Sequence, residues 1–298
     1  MNDQRKLLEM KSLIDKCDGS FAVRLENIAT DILSKKDVRL IRLSGPTCSG
    51  KTTAAAMLTH VFADHSKRVV TVSIDDFYID THILLRNSKE KGLNNIDYDS
   101  AETIDLSELG RFVSEIFESE EVHCPVFDFK IGRRSGYRTL SVGKNDIVIF
   151  EGIQAVYPEV TAMFEGHSSV GIFISPISSL NTGEHTIHPN EIRLMRRLVR
   201  DYKYRNTSPI LTFKLWEGVR TNEERAIFPF VDNSEYKVDS TMPYELGVLR
   251  PYLEHILTPI TNSDFGFDLA QRILSLIAEI ETVPDYLLGE DSLYKEFV

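Results

Sequence analysis

Short, continuous apolar runs alternate with longer stretches of helical periodicity along most of this chain. Four apolar runs are typical of strands covered on both faces of a parallel sheet: residues 38–43, 68–74, 146–150 and 170–174. Residues 52–62 and 105–117 have apolar side chains at helical spacing and are predicted helices between these strands. Strands that alternate with helices predict an α/β fold with a parallel sheet.

Three other stretches depart from this alternation. Residues 1–37 are predicted to form a helical extension that packs before the main domain, residues 38–298. Residues 122–142 contain two β-rich segments around a Gly- and Arg-rich turn, which predicts an antiparallel hairpin inserted into the parallel core. Apolar periodicity within 243–298 predicts C-terminal helices.

Composition narrows the class of protein. The chain has 298 residues and a net charge of −11, which argues against a general nucleic-acid binder. Its three cysteines, Cys17, Cys48 and Cys124, are scattered and lack metal-binding spacing, which indicates reduced thiols and a cytoplasmic setting. The polar start does not have the character of a signal peptide, and we expect no membrane partner because no apolar run reaches the length of a span.

A phosphate-binding loop lies between the first predicted strand and the first predicted helix. It matches the Gly-x-x-x-x-Gly-Lys-Thr pattern at every position, with the residues Gly45, Pro46, Thr47, Cys48, Ser49, Gly50, Lys51 and Thr52. Small residues let backbone N–H groups face an anion, while Lys51 reaches the β- and γ-phosphates and the Thr52 hydroxyl binds the metal. Thr53 continues into a helix whose positive end faces the phosphates. The loop therefore predicts a nucleoside triphosphate, ATP or GTP, with Mg²⁺.

Acidic residues follow two of the predicted strands. Asp75 and Asp76 come after strand 68–74, and Glu151 comes after strand 146–150. Because ligands of open α/β sheets lie at the carboxyl ends of the strands, both positions are expected beside the phosphate-binding loop. A kinase needs one acid to position and deprotonate the acceptor hydroxyl and another to help hold Mg²⁺. The acids at the ends of these two strands supply both groups.

Four arginines recur on one side of a predicted helix. Arg193, Arg196, Arg197 and Arg200 stand at i, i+3, i+4 and i+7, so that a helix places them on one face. Like charges at this spacing repel, and an anion would relieve the repulsion. A well-placed arginine raises the rate of phosphoryl transfer by roughly 10³–10⁵. We interpret residues 190–225 as a lid that contacts phosphates; the alternative is a solvated basic face paired with nearby acids.

Together these segments resemble the uridine kinase and phosphoribulokinase family of P-loop kinases, and most closely the bacterial uridine kinase-like nucleoside kinases. The resemblance runs from about residue 38 to the C-terminus. The matching segments are residues 45–52, 75–78, 95–98, 125–129, 150–153, 193–204, 216–220, 227–230 and 244–246. The resemblance implies a P-loop NTPase three-layer fold with a parallel sheet, an inserted β-hairpin and a helical lid.

The resemblance also implies the catalytic groups. Asp75 would be the general base on the acceptor hydroxyl, and Lys51 would act on the phosphates. Thr52 and Glu151 would attend Mg²⁺.

The arginines of the lid receive separate roles from the resemblance. Arg196 and Arg200 would act in catalysis and Arg197 in nucleotide binding, so that all three cover the phosphates. Arg193 would approach the acceptor.

The inserted hairpin would form the acceptor pocket. Tyr78 and Phe127 would contact the acceptor, and Asp97 would hold its sugar hydroxyls. Arg133 would suit a charged acceptor together with the neighbouring Arg134; the alternative is a pair of solubility charges at the tip of a turn.

Two positions of this pocket depart from the family pattern. Uridine–cytidine kinases have a Tyr where Phe127 stands and a His where Gly132 stands, and both of those residues contact the pyrimidine. Missing hydrogen-bonding groups shift selectivity by orders of magnitude, so the sequence does not fix uridine as the acceptor.

We therefore predict a kinase that transfers the γ-phosphoryl group of ATP to a hydroxyl of a nucleoside-like acceptor. One alternative is a kinase for a sugar phosphate, glycerate or pantothenate. Another is a nucleotide-binding regulatory protein with little kinase activity. Homo-oligomers are frequent in the family, and helix 267–280 offers either a dimer face or an internal packing face.

Overall fold

A five-stranded parallel sheet lies at the centre of the computed structural model, which describes residues 2–90, 92, 100–183 and 185–298. Within these residues the strands are β1 (Leu40–Ser44), β2 (Val69–Ser73), β3 (Glu121–Asp128), β4 (Arg133–Ser141), β5 (Ile147–Glu151), β6 (Ser169–Ser175), β7 (Leu180–Thr182), β8 (His185–Ile187) and β9 (Tyr236–Asp239). The central sheet has the order β2-β5-β1-β6-β9, and all its neighbouring strands are parallel. Strands β3 and β4 form one antiparallel hairpin, and β7 and β8 form another.

Helices connect the strands of the sheet. In the described part of the chain they are α1 (Asn2–Ser34), α2 (Lys51–Asp64), α3 (Thr81–Glu90), α4 (Leu106–Glu118), α5 (Pro158–Thr161), α6 (Pro189–Arg205), α7 (Pro209–Ala226), α8 (Glu245–Leu257) and α9 (Phe267–Ile277). None of these helices combines the length and the apolar character that a membrane span needs, as far as the described residues go.

Alternate residues of the inner strands enter two separate hydrophobic cores. On β5, Ile147 and Ile149 belong to one core, whereas Val148 and Phe150 belong to the other. Helices α1, α2, α6, α8 and α9 contribute side chains to the first core, and α4, α5 and strand β3 contribute to the second. The sheet is therefore covered on both faces, which confirms the three-layer α/β fold.

The elements predicted from the sequence are confirmed with small shifts at their ends. The hairpin expected within 122–142 is present, and a bulge between Val126 and Phe127 interrupts its register. Sequence periodicity does not predict α3 or β9. Helix α3 buries a single residue, Leu84, and β9 has only four residues with polar side chains at alternate positions, so neither carries a strong apolar signal.

Helix α1 is packed into the first core as the sequence predicts. Its buried residues Phe21, Leu25, Ala29 and Ile32 recur at helical intervals and join the same hydrophobic cluster as the sheet. Most of the opposite surface of α1 is exposed, including Leu8. The extension therefore shares its core with the domain that follows it.

Two leucines of α1 give a matched test of this packing. Leu25→Ala is expected to lower the free energy of unfolding by about 2–5 kcal/mol, because it leaves a cavity at a fully buried site. Leu8→Ala, at an exposed site, is expected to change it by less than about 0.5 kcal/mol. Equal effects in chemical denaturation would contradict the packing of α1 against the sheet.

Candidate active site

The phosphate-binding loop occupies the turn between β1 and α2. Gly45 lies so close to β6 that an added Cβ would be 2.1 Å from the Ile174 carbonyl oxygen. Gly50 has φ +91° in the left-handed region and precedes the first residue of α2. Both positions therefore require glycine, and the loop is followed by the amino end of a helix, as an anion site needs.

An open pocket of about 510 Å³ lies over this loop at the carboxyl ends of β1, β2 and β5. The residues that line it are Thr47, Cys48, Ser49, Gly50, Lys51, Thr52, Asp75, Glu151, Gly152, Ile153, Arg200, Tyr204, Arg205 and Glu296. The structure thus brings the predicted Lys51, Thr52, Asp75 and Glu151 to one place. Gly45, Pro46 and Thr53 flank the lining rather than form it.

The donor groups of the pocket fit a nucleoside triphosphate with Mg²⁺. Lys51 Nζ donates to the Pro46 carbonyl at 3.2 Å, which holds the ammonium across the loop. The Ser49 hydroxyl is buried and has no hydrogen-bond partner among the described residues. Thr52 and Glu151 line the same pocket and offer hard oxygen ligands, and Mg²⁺ needs only one or two protein oxygens when phosphates supply others.

The two neighbouring aspartates have different surroundings. Asp76 pairs with Arg138 at 2.9 Å, and its second oxygen accepts a hydrogen bond from the Phe127 backbone N–H at 3.4 Å. Asp76 therefore joins the turn after β2 to the hairpin. Asp75 lines the phosphate pocket instead. The two carboxylates therefore lie in different surroundings, Asp75 at the pocket and Asp76 against the hairpin.

The interpretation of the arginine stripe as one phosphate-facing surface is wrong for Arg193 and Arg196. Both side chains are fully buried and neither lines the pocket. Arg193 donates to both carboxylate oxygens of Glu223, with Nη2 and Oε2 2.6 Å apart. Arg196 donates in the same way to Glu245, with Nε and Oε2 2.8 Å apart. The repulsion between these arginines is therefore relieved by carboxylates of α7 and α8, not by the bound anion that is expected from the sequence.

Both buried arginines also support the phosphate-binding loop from behind. Arg193 Nη1 donates to the Thr47 carbonyl, and Arg196 Nη1 donates to the Cys48 carbonyl, each at 3.3 Å. Cys48 has φ +57°, which is unfavourable for a residue with a side chain. Arg193 and Arg196 therefore contact the backbone of the loop and do not line the pocket.

The other two predicted arginines pair with Asp201 near the end of α6. Arg197 Nε lies 3.2 Å and Arg200 Nη2 2.8 Å from its carboxylate oxygens. Of the four arginines in the stripe, only Arg200 lines the pocket, and Arg205 joins it there. Partial burial and the neighbouring Arg200 lower the pKa of Arg205.

Sequence reasoning misses three polar residues of the pocket: Tyr204, Arg205 and Glu296. The helical repeat of the stripe, continued for one more turn, reaches the neighbourhood of Arg205 and could have indicated it. No local pattern indicates Glu296, because it lies far along the chain in a short 3₁₀ turn over Leu293–Glu296.

Two of the predicted acceptor residues, Tyr78 and Phe127, lie at the turn end of the β3–β4 hairpin. The rings of Tyr78, Phe127 and Phe129 form a cluster with centroids 4.9–5.6 Å apart, and the Gln154 amide donates to the Tyr78 hydroxyl at 2.9 Å. Tyr78 and Phe127 are buried, whereas Phe129 is 61% exposed. Asp97 lies outside the described residues.

The tip of the hairpin is closed around Gly132. Gly132 has φ +64°, and an added Cβ would lie 2.5 Å from the Thr81 hydroxyl oxygen. Its carbonyl accepts a hydrogen bond from the Thr81 N–H at 2.8 Å. Arg134 is held by Asp105 at 3.1 Å and by the Tyr137 hydroxyl, while Arg133 is exposed at the start of β4. Arg134 therefore has a structural role, whereas Arg133 faces solvent, as does Lys130 in the turn.

Residues 40–242 match the model of the Phosphoribulokinase / Uridine kinase family. The chain is 28% identical to the uridine kinase of Ureaplasma urealyticum over 200 residues, which are 67% of this chain and 83% of that protein. It is 27% identical to the uridine kinase of Brevibacillus brevis over 227 residues, which are 75% of this chain and 92% of that protein. It is 31% identical to the uridine kinase of Schizosaccharomyces pombe over 172 residues, 57% of this chain and 33% of that protein.

The fold and the site define a P-loop kinase of the α/β class. The chain belongs to the Phosphoribulokinase / Uridine kinase family.

The buried pair of Arg196 and Glu245 gives a test of the site's internal support. Glu245→Gln keeps the shape of the side chain but removes the buried counter-charge, and it is expected to cost about 3–5 kcal/mol of unfolding free energy. Glu254→Gln, on the same helix, loosens a pair with Arg250 at a partly exposed site and is expected to cost less than about 1 kcal/mol. Similar losses in urea denaturation would show that Arg196 does not depend on Glu245 for its charge balance.

Proposed function

We propose that this protein is an ATP-dependent kinase that transfers the γ-phosphoryl group to a hydroxyl of a nucleoside-like acceptor. The observation that carries the proposal is the single pocket in which the phosphate-binding loop, Asp75 and Glu151 lie together. Membership of the family and the uridine kinase relatives support phosphoryl transfer as the class of reaction.

The cations of the pocket are suited to hold a triphosphate. Lys51, Arg200 and Arg205 line it from the loop and from the end of α6. Thr52 and Glu151 would hold Mg²⁺, which neutralises phosphate charge when it is bound. Positioning and charge neutralisation supply most of the rate in phosphoryl transfer, and this arrangement provides both.

Asp75 is the proposed general base. It lies in the pocket with the phosphate-binding loop, and its neighbour Asp76 is already committed to Arg138. The carboxylate of Asp75 would orient the acceptor hydroxyl and take its proton as the oxygen attacks the γ-phosphorus.

The aromatic cluster of Tyr78, Phe127 and Phe129 supports a planar, nucleoside-like acceptor. Phe129 presents an exposed ring beside two buried ones, and a planar base gains from packing on such a ring. Asp97 remains the proposed contact for the sugar hydroxyls.

A second candidate is a kinase for a non-nucleoside acceptor, such as a sugar phosphate, glycerate or pantothenate. The hairpin tip favours this second candidate. Gly132 has no side chain to contact a pyrimidine, and Thr81 leaves no room for one. Arg133, exposed at the same tip, would suit a charged acceptor.

The free thiols support a reducing, cytoplasmic setting, which we propose as the location. Cys17, Cys48 and Cys124 are all unpaired, and burial raises the pKa of the Cys124 thiol to about 12. We also propose that the partners are the nucleotide and a small molecule rather than nucleic acid, in keeping with the net charge of −11.

Two substitutions test the catalytic assignments. Asp75→Asn is expected to keep ATP binding but to lower kcat by about 10²-fold or more, because the proton acceptor is lost. Lys51→Ala is expected to abolish turnover. Asp64→Asn and Lys144→Ala, at exposed sites outside the pocket, are the matched controls and should keep wild-type rates. A wild-type kcat for Asp75→Asn would remove Asp75 from the role of base.

The acceptor is tested by ADP release from ATP with Mg²⁺ against nucleosides, sugar phosphates, glycerate and pantothenate, each added singly. We expect a nucleoside to stimulate release, and we expect Phe129→Ala to raise its KM about two- to ten-fold through the lost ring contact. Ile131→Ala, an exposed apolar change on the same hairpin, is the control and should leave KM unchanged.

Stimulation by a non-nucleoside alone would replace the first candidate by the second. ATP binding without transfer to any acceptor would instead indicate a regulatory protein.

A further inference from the structure

The last described segment of the chain, residues 293–298, packs directly against the phosphate-binding loop. Leu293 fills the space beside Gly50, where an added Cβ would lie 2.6 Å from the Leu293 Cδ1 atom. Tyr294 is fully buried, and its hydroxyl accepts a hydrogen bond from Arg196 Nη2 at 2.7 Å. The guanidinium of Arg196 also lies over the buried ring of Phe297. The segment is therefore held against the loop by both packing and hydrogen bonds.

Glu296 extends from this segment into the nucleotide pocket. Its Oε2 atom accepts a hydrogen bond from the Thr53 hydroxyl at 3.2 Å. Within the residues that the structure describes, its Oε1 atom has no hydrogen-bond partner. Thr53 thus fixes the carboxylate and leaves one oxygen for a ligand.

The position of Glu296 indicates which part of a nucleotide it would meet. Lys51 and Thr52 serve the β- and γ-phosphates and the metal in a phosphate-binding loop. Glu296 is hydrogen-bonded to Thr53, one residue further along α2 than these two groups. We therefore assign it to the part of the nucleotide beyond those phosphates, its sugar end. Arg200 and Arg205 line the same pocket and can balance the phosphate charge there.

The chemistry of a carboxylate further limits which group of the nucleotide Glu296 would bind. An ionised carboxylate is negatively charged and therefore repels phosphates. Because it only accepts hydrogen bonds, it pairs with donors such as hydroxyl groups. Carboxylates bind ribose hydroxyls in this way in dinucleotide-binding folds. Tyr204 beside it donates its hydroxyl to the Val298 carbonyl at 3.0 Å, which holds the segment to α6 on the other side of Glu296.

We propose that Glu296 binds a ribose hydroxyl of the donor nucleotide and makes the enzyme select ribonucleotides over deoxyribonucleotides as donors. This inference rests on the proposed kinase function. The segment lies beyond residues 40–242, which the family model matches.

The test compares the binding of ATP, 2′-deoxy-ATP and 3′-deoxy-ATP with Mg²⁺ by titration calorimetry. The wild-type protein is expected to bind ATP about ten-fold or more tightly than at least one deoxy analogue, as a hydrogen bond to a charged group predicts. In Glu296→Ala this ratio is expected to fall to within about two-fold, because ATP binding weakens while binding of that analogue does not. Glu290→Ala, an exposed glutamate of the same region outside the pocket, should keep the wild-type ratio.

Three outcomes overturn the proposal. One is an unchanged ratio in Glu296→Ala whose melting temperature matches that of the wild type. Another is tighter ATP binding in the variant, which would mean that the carboxylate obstructs the site. A wild-type protein without ribose preference would also overturn it. In each case ATP still binds, so the kinase proposal stands; no ATP binding and no transfer in the wild type would overturn both.

Discussion

The buried guanidinium of Arg196 connects the parts of the molecule that form the phosphate site. It pairs with Glu245 at the start of α8 and donates to the Ser240 carbonyl just beyond β9. The same group donates to the Cys48 carbonyl and to the Tyr294 hydroxyl. A buried charge is costly unless all its hydrogen bonds are made, so these four elements are held in one relative arrangement. Its hydrogen bond to Cys48 holds the loop at a residue with a left-handed φ of +57°.

The positively charged side chains around the phosphate-binding loop lie in two kinds of surroundings. Arg193 and Arg196 pair with carboxylates in the interior and contact the loop. Lys51, Arg200 and Arg205 line the pocket instead, and Arg200 is also paired with Asp201. The two groups come largely from one helix, α6. A half-buried helix can supply both groups because some of its side chains point into the interior and others point toward the pocket.

The hairpin is built differently from the phosphate site. The phosphate site uses a short continuous motif, and its geometry follows from glycines at fixed places. The proposed acceptor side uses an aromatic cluster and a tip closed on Gly132 and Thr81, which are brought together from different elements.

The sequence by itself determined the layer architecture, the phosphate-binding loop and the strand ends that carry Asp75 and Glu151. These features depend on local periodicity and on a contiguous motif, and both are readable without knowledge of distant contacts. It did not separate Arg196 from Arg200, because the identity of a side chain does not reveal its partner. Only the tertiary structure placed Glu245 against Arg196 and Glu296 beside Thr53, pairs separated by 49 and 243 residues. Burial and counter-charge arise from such long-range contacts, and they decided which charged groups support the fold and which line the pocket.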